Sequence, residues 1–208
     1  MSNSDSFAEK ASKVNFSAGH NGKVYTDCQL TEQVIENKDI FSGRVFSVEV
    51  SEVLLQNGNT AFREIVRHNG GAAVVALDDD RNVYMVRQFR CPFFEIMLEI
   101  PAGKLEMGED PKECAFRELT EETGLIAQNI DDLGVFYPSP GYCSEKLFLF
   151  LATGLTLKES NPDEGEFLNV HRIPLDTLLQ KIDLGEIKDG KTIAALLKTA
   201  RRLELELG

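Results

Sequence analysis

Between Gly103 and Leu125 the chain sets Glu109, the pair Arg117-Glu118, the pair Glu121-Glu122 and two glycines, Gly103 and Gly124, at fixed intervals. Pro111 suits the first turn of a helix, where its missing N–H leaves nothing unsatisfied. Gly108-Glu109-Asp110 before it supplies a turn and negative charge at the positive end of the helix dipole. Gly124 is placed for a left-handed C-cap. These signals predict a helix over 111–123. Residues three and four apart share a face, so Glu118, Glu121 and Glu122 form one acidic patch, while Cys114, Ala115 and Leu119 turn toward a core. Arg117 stands four residues from both Glu113 and Glu121 and can brace the carboxylates. Glu109 can approach the patch from the N-terminal end. Like charges crowded on one face repel, so folding alone rarely selects them. Oxygen donors without His or Cys favour a hard cation, Mg²⁺ or Mn²⁺, over zinc. Mg²⁺ typically binds one or two carboxylates together with substrate phosphates, which points to phosphate chemistry.

The elements that must position this helix follow from periodicity and punctuation. Residues 45–55 alternate as a strand, Asn57-Gly58 reads as a hairpin turn, and 60–67 returns as a second strand. Residues 72–77 and 83–89 read as buried strands joined by the polar turn 78–82. Further strands are expected over 133–137, 146–153 and 166–173, and helices over 175–181 and 192–205. Interleaved strands and helices suit a mixed sheet covered on both faces, in the α+β or α/β class. Residues 1–21, rich in Ser, Asn and Lys, read as a mobile tail. Residues 22–70 read as an N-terminal β-strand region and 71–208 as the main domain.

Composition limits the partners. The 208 residues carry a formal net charge of −12, which argues against nonspecific binding to nucleic acid or anionic membranes. No apolar run is long enough to span a bilayer, and the N-terminus lacks a signal-peptide core. The four cysteines, Cys28, Cys91, Cys114 and Cys143, are widely spaced and fit reduced thiols in a cytoplasmic protein. An anionic substrate on so acidic a chain requires local compensation, by bound cations and a few well-placed arginines.

The helical segment resembles the Nudix box, G-x5-E-x7-R-E-U-x-E-E-x-G-U with U aliphatic. Gly103, Glu109, Arg117, Glu118, Leu119, Glu121, Glu122, Gly124 and Leu125 fill every fixed position. The resemblance implies a metal-dependent hydrolase of nucleoside diphosphates linked to another moiety, on an α/β/α sandwich with a mixed sheet and an N-terminal antiparallel β-hairpin. It implies that Glu118 and Glu122 are the principal metal ligands, that Glu121 and Glu109 assist, and that the carbonyl of Ala102 adds another. Other features resemble the ADP-ribose pyrophosphatase branch: Pro140, sixteen residues after Gly124; the approach Leu98-Glu-Ile-Pro-Ala-Gly-Lys-Leu-Glu106 with Val86-Arg-Gln-Phe-Arg90 upstream; and the segments 163–166 and 187–192.

That branch implies hydrolysis of ADP-ribose to AMP and ribose 5-phosphate with Mg²⁺, or Mn²⁺. The ions would bridge phosphate oxygens and lower the pKa of a bound water. A separate carboxylate must take the proton: Glu164, with Glu166 as the alternative, and Glu121 among the catalytic carboxylates of the box. The resemblance places Arg90 on a substrate phosphate, with Arg63 as the second candidate, because a planar guanidinium binds phosphate oxygens bidentately. It puts Phe46 where related enzymes stack an aromatic ring on adenine, and Tyr142 near the ribose beside Pro140. The N-terminal strands suit exchange across a twofold axis in a homodimer. Another nucleotide sugar, such as GDP-mannose or ADP-glucose, would leave the metal site unchanged. A catalytically silent ADP-ribose sensor is the non-enzymatic alternative, though such modules usually lose box glutamates that this chain keeps.

Overall fold

The structure, a computed structural model, describes residues 26–157 and 169–207. The tail expected over 1–21 lies outside them. The described chain forms two compact units, one of residues 26–37 and Ser51–Arg63, the other of Lys38–Val50, Glu64 to 157 and 169–207. Three N-terminal strands, β1 (Gln33–Ser42), β2 (Phe46–Leu54) and β3 (Thr60–His68), form a sheet in the order β1-β2-β3. The Asn57-Gly58 turn joins β2 to β3, with Gly58 at φ 83 and its N–H on Leu55 O. In the first unit Val53 is buried and Gln56 Nε2 donates to Thr31 O at 3.0 Å.

The second unit is built on a mixed sheet of β4 (Gly71–Leu77), β5 (Asn82–Arg90), β8 (Leu125–Phe136), β9 (Leu147–Leu157) and β10 (Asn169–Pro174), in the order β10-β5-β4-β9-β8. β6 (Glu95–Glu99) pairs with β5, and β7 (Ala102–Lys104) with β4. Of these pairings β4 with β9 is parallel and the others are antiparallel.

Every residue of β4 is buried, as its unbroken apolar run demands of a strand covered on both faces. The two faces feed different cores. Ala72, Val74 and Ala76 pack in one cluster with Cys114, Ala115 and Leu119 of helix α1 (Pro111–Thr123). Ala73, Val75 and Leu77 pack in another with Leu178 of α2 (Leu175–Asp183) and Leu196 of α3 (Gly190–Leu207). Full burial of one such leucine is worth about 1.5–3 kcal/mol, so the leucines hold α1 and α3 down on their faces. The result is the expected α/β/α sandwich.

Helix α1 has the expected bounds. Asp110 caps it, accepting from Lys112 N at 2.8 Å, and Gly124 ends it at φ 71 with its N–H on Thr120 O at 2.9 Å. Elsewhere the boundaries move. β8 begins at Leu125 rather than 133, because its outward residues Gln128, Asn129, Asp131 and Asp132 mask the alternation with Ala127 and Ile130. β1, β6 and β7 were not anticipated as strands. The strand expected over 166–173 is seen from Asn169, and 166–168 lie outside the described residues.

Candidate active site

A cleft of about 950 Å³ opens in the second unit, bounded by the β4–β7 edge, by α1 and by the start of α3. Helix α1 brings Glu118 and Glu122 to it one turn apart. Glu122 is buried, and its Oε2 accepts from Ala102 N at 3.0 Å. The Glu118 carboxylate lies against the backbone of Gly103. A Cβ there would stand 1.8 Å from Glu118 Oε1, so only glycine admits the carboxylate in this position. Thus β7 and α1 are fitted through two box glutamates and the peptides of Ala102 and Gly103.

Arg117 organises the other carboxylates. Its Nε donates to Glu109 Oε1 at 2.9 Å, its Nη2 to Glu109 Oε2 at 3.1 Å, and its Nη1 to Glu118 Oε1 at 2.7 Å and Glu121 Oε2 at 2.9 Å. One guanidinium therefore offsets repulsion among three acids, with Nη2 also on Lys104 O at 3.2 Å. The Arg117 hydrogen bonds hold the Glu109 carboxyl down to about 2, helped by Glu106 N donating to its Oε2. Those same bonds raise the Arg117 pKa well above its ordinary value. Cys114, just beneath, is pushed up to about 12, first by burial and then by Glu109, so it stays a neutral thiol.

A second charged group lies along the same cleft. Arg90, at the end of β5, donates from Nε to Glu99 Oε1 and from Nη2 to Glu99 Oε2, both at 2.7 Å. Five of the 22 Lys and Arg residues line the cleft: Arg44, Arg90, Lys104, Arg117 and Lys191. Six carboxylates line it too, Glu99, Glu106, Glu118, Glu122, Glu145 and Asp189, so an anionic ligand still calls for bound cations.

Residues 67–196 match the NUDIX domain family. This chain belongs to the Nudix family. A methanol dehydrogenase activator of Bacillus methanolicus is 45% identical to this Nudix chain over 167 residues, covering 79% of the chain and 90% of that relative. An ADP-ribose pyrophosphatase of Bacillus subtilis (strain 168) is 43% identical over 169 residues, covering 80% and 91%. A solved structure described as an ADP compounds hydrolase matches with a TM-score of 0.75 at 24% identity, over 84% of this chain and 95% of that one, which shows a shared fold. Nudix hydrolases generally depend on a divalent metal, and among the described residues no helix is long and apolar enough to cross a membrane.

The Nudix cleft gathers some of the residues singled out in the sequence and not others. Ala102, Glu118, Glu122 and Arg90 line it; Glu109 and Glu121 join through Arg117. Among the described residues no three carboxylates converge on one point, because Arg117 spreads three of them along its guanidinium. Phe46 instead sets its ring 5.8 Å from that of Phe41, and the neighbouring Arg44 and Val45 line the cleft. Arg63 belongs to the first unit, where it pairs with Glu32 and donates to Phe62 O. Pro140 and Tyr142 are exposed, and in that segment it is Pro138 that lines the cleft. Tyr142 acts through its backbone, its carbonyl accepting from Val66 N at 2.8 Å. Glu164 and Glu166 lie outside the described residues.

Sequence reasoning missed Glu99, Lys191 and Phe93 among the cleft residues. For Glu99 a signal existed: a carboxylate between Leu98 and Ile100 in an apolar run must be buried, and a buried charge needs a partner. Phe93 follows Pro92 in a 3-10 turn and is exposed at the cleft, a placement no periodicity announces.

Proposed function

We propose that this chain hydrolyses the pyrophosphate bond of ADP-ribose, giving AMP and ribose 5-phosphate, with Mg²⁺ as the working cation and Mn²⁺ as a substitute. The observation that carries the reading is the meeting, in one cleft of about 950 Å³, of an all-oxygen wall, Glu118, Glu122 and Ala102, with the guanidinium of Arg90. A cleft of this size suits a nucleotide sugar. The name of the 43%-identical relative agrees with it. The 45%-identical relative carries a different name, so identity alone does not select the substrate.

The donor set fits a hard divalent ion. The carboxylates are oxygen donors, the one nearby thiol stays protonated, and Glu118 and Glu122 sit one helical turn apart beside the Ala102 peptide. When bound, the ion would draw charge from the pyrophosphate oxygens and acidify a water. The chain's own residues do the rest. Arg117 holds Glu109, Glu118 and Glu121 in place, with Glu109 and Glu121 in assisting roles. Arg90 meets a phosphate. A carboxylate from the segment after β9, Glu164 by its resemblance in position to the pyrophosphatase branch, with Glu166 as the alternative, takes the proton of the attacking water as the bridging P–O bond breaks.

The working form is a homodimer in the cytoplasm. All ten residues of β1 are exposed, Val34, Ile35, Ile40 and Phe41 among them, as expected of a strand completed by a second copy. Cys91, Cys114 and Cys143 are free thiols, which suits a reducing compartment. Monomer mass across working concentrations in sedimentation would end the dimer reading.

The function is tested by phosphate-monoester release from ADP-ribose, ADP-glucose, GDP-mannose and NADH, each with Mg²⁺ and with EDTA. Selective, EDTA-sensitive release of AMP from ADP-ribose is expected. Preference for GDP-mannose would discard the substrate and keep the Nudix chemistry.

A further inference from the structure

Glu99 ends β6 and is 1% exposed. A buried carboxylate is costly unless its oxygens are matched, and here both are taken. Arg90 grips them from one side, as described, and Lys191 Nζ donates to Oε2 from the other. Burial alone would push the Glu99 carboxyl up, but Arg90 and Lys191 more than offset it and hold the group below its ordinary range. Lys191 is itself buried, and its Nζ also donates to Asp189 Oδ2 at 2.9 Å. Asp189 Oδ2 receives Thr192 N at 3.0 Å and Thr192 Oγ1 at 2.5 Å. The fully buried Thr192 hydroxyl then accepts from Ile100 N at 3.0 Å.

The turn Asp189-Gly190-Lys191-Thr192 at the start of α3 therefore grips Glu99-Ile100 twice, Lys191 by the Glu99 side chain and Thr192 by the Ile100 backbone. Stability alone does not call for this arrangement, because well-packed apolar residues usually hold such a place at least as well as buried ions. What the arrangement does achieve is an aimed arginine. Glu99 occupies Nε and Nη2 of Arg90 and leaves Nη1 without a hydrogen-bond partner among the described residues. The Arg90 side chain is 38% exposed and lines the cleft.

We propose that Lys191 is a positioning residue for the hydrolysis, acting through Glu99 to orient Arg90 toward the pyrophosphate. The inference rests on the reading of the cleft as a pyrophosphatase site. It assigns the Asp189-Gly-Lys-Thr192 turn a part in substrate capture.

The test is steady-state hydrolysis of ADP-ribose with Mg²⁺ by the full chain. Lys191→Met should raise KM about tenfold, the loss of roughly one charge-assisted hydrogen bond to substrate, with kcat changed less than about threefold. Lys191→Arg, which keeps the charge, should restore most of the loss. In a Glu99→Gln background, Lys191→Met should have no further effect on KM, because its route to Arg90 is already cut. A purely structural role would instead lower the melting temperature of Lys191→Met and leave KM alone, which would overturn the proposal. Equal effects of Lys191→Met with and without Glu99 would overturn it too, by making Lys191 a direct contact. Should Lys191→Met fail to fold, Glu99→Gln decides: an unchanged KM refutes the relay. Failure of the pyrophosphatase reading is distinct, since the wild-type chain would then release no AMP at all.

Discussion

Gly103→Ala is the sharpest perturbation of the proposed metal wall, because it adds one methyl group at the closest contact in the site. The new Cβ would lie 1.8 Å from Glu118 Oε1, 1.9 Å from Cδ and 2.3 Å from Oε2. Ordinary contact begins at 3.4 Å, so the carboxylate must retreat by about 1.6 Å. The backbone has no reason to follow. Gly103 is not in the left-handed region, and its place opposite Ala72 in the β4–β7 ladder accepts alanine. The retreat forfeits the 2.7 Å bond from Arg117 Nη1, a charge-assisted contact worth about 1.5–3 kcal/mol. Arg117 keeps Glu109 and Glu121, so the net loss of stability should be on the order of 1 kcal/mol, or about 2–4 °C in Tm. Metal binding has no such cushion. Ligand distances tolerate about 0.2 Å, and a carboxylate displaced by several times that is lost as a ligand. Mn²⁺ affinity, read by electron paramagnetic resonance titration, should fall by about 100-fold or more, and AMP release should fall with it. Affinity within about threefold of wild type would refute the argument that Gly103 exists to seat Glu118. A collapse in Tm beyond about 10 °C would show that the glycine serves the fold instead.

Three further outcomes are expected. Glu122→Gln keeps the shape and the acceptor for Ala102 N but loses the charge; turnover should drop by orders of magnitude with an unchanged circular dichroism spectrum, and near-normal turnover would remove Glu122 from the metal set. Arg117→Met leaves three carboxylates uncompensated, so Tm should fall without divalent metal and recover with added Mg²⁺ more than wild type does; a fall that Mg²⁺ does not repair would place Arg117 in packing alone. Glu109 has a folded pKa lowered from 4.5 to about 2, so its stabilisation is complete above about pH 4.5 and is lost as pH falls toward 2. In metal-free urea unfolding over that window, wild type should show a steeper rise of stability with pH than Glu109→Gln, by about one proton, and equal slopes would deny the Arg117 contact its strength.

The parts legible in the sequence are those whose signals are local. Helix α1 announces itself within fifteen residues: a capping aspartate, a proline behind it, an apolar face of Cys114, Ala115 and Leu119, and a glycine stop. The acidic wall is legible for the same reason, since residues four apart on a helix must share a face. β1 was invisible because all ten of its residues are exposed, so neither face imposes the alternation by which a strand is recognised. β7 is three residues long and cannot carry a period. The partner of Arg90 was hidden for another reason. Glu99 reaches it only through the antiparallel pairing of β5 with β6, and Lys191 arrives from 92 residues further along the chain.

The two glycines of the box show the same division. Gly124 is readable from the chain, because a helix end asks for a residue that tolerates φ 71. Gly103 is not, because its requirement is set by a carboxylate fifteen residues away across a strand–helix contact. Its backbone would suit any residue, and only the seat of Glu118 forbids a side chain. At Gly103 the glycine serves no turn; it marks the place where β7 and α1 close on the Glu118 carboxylate.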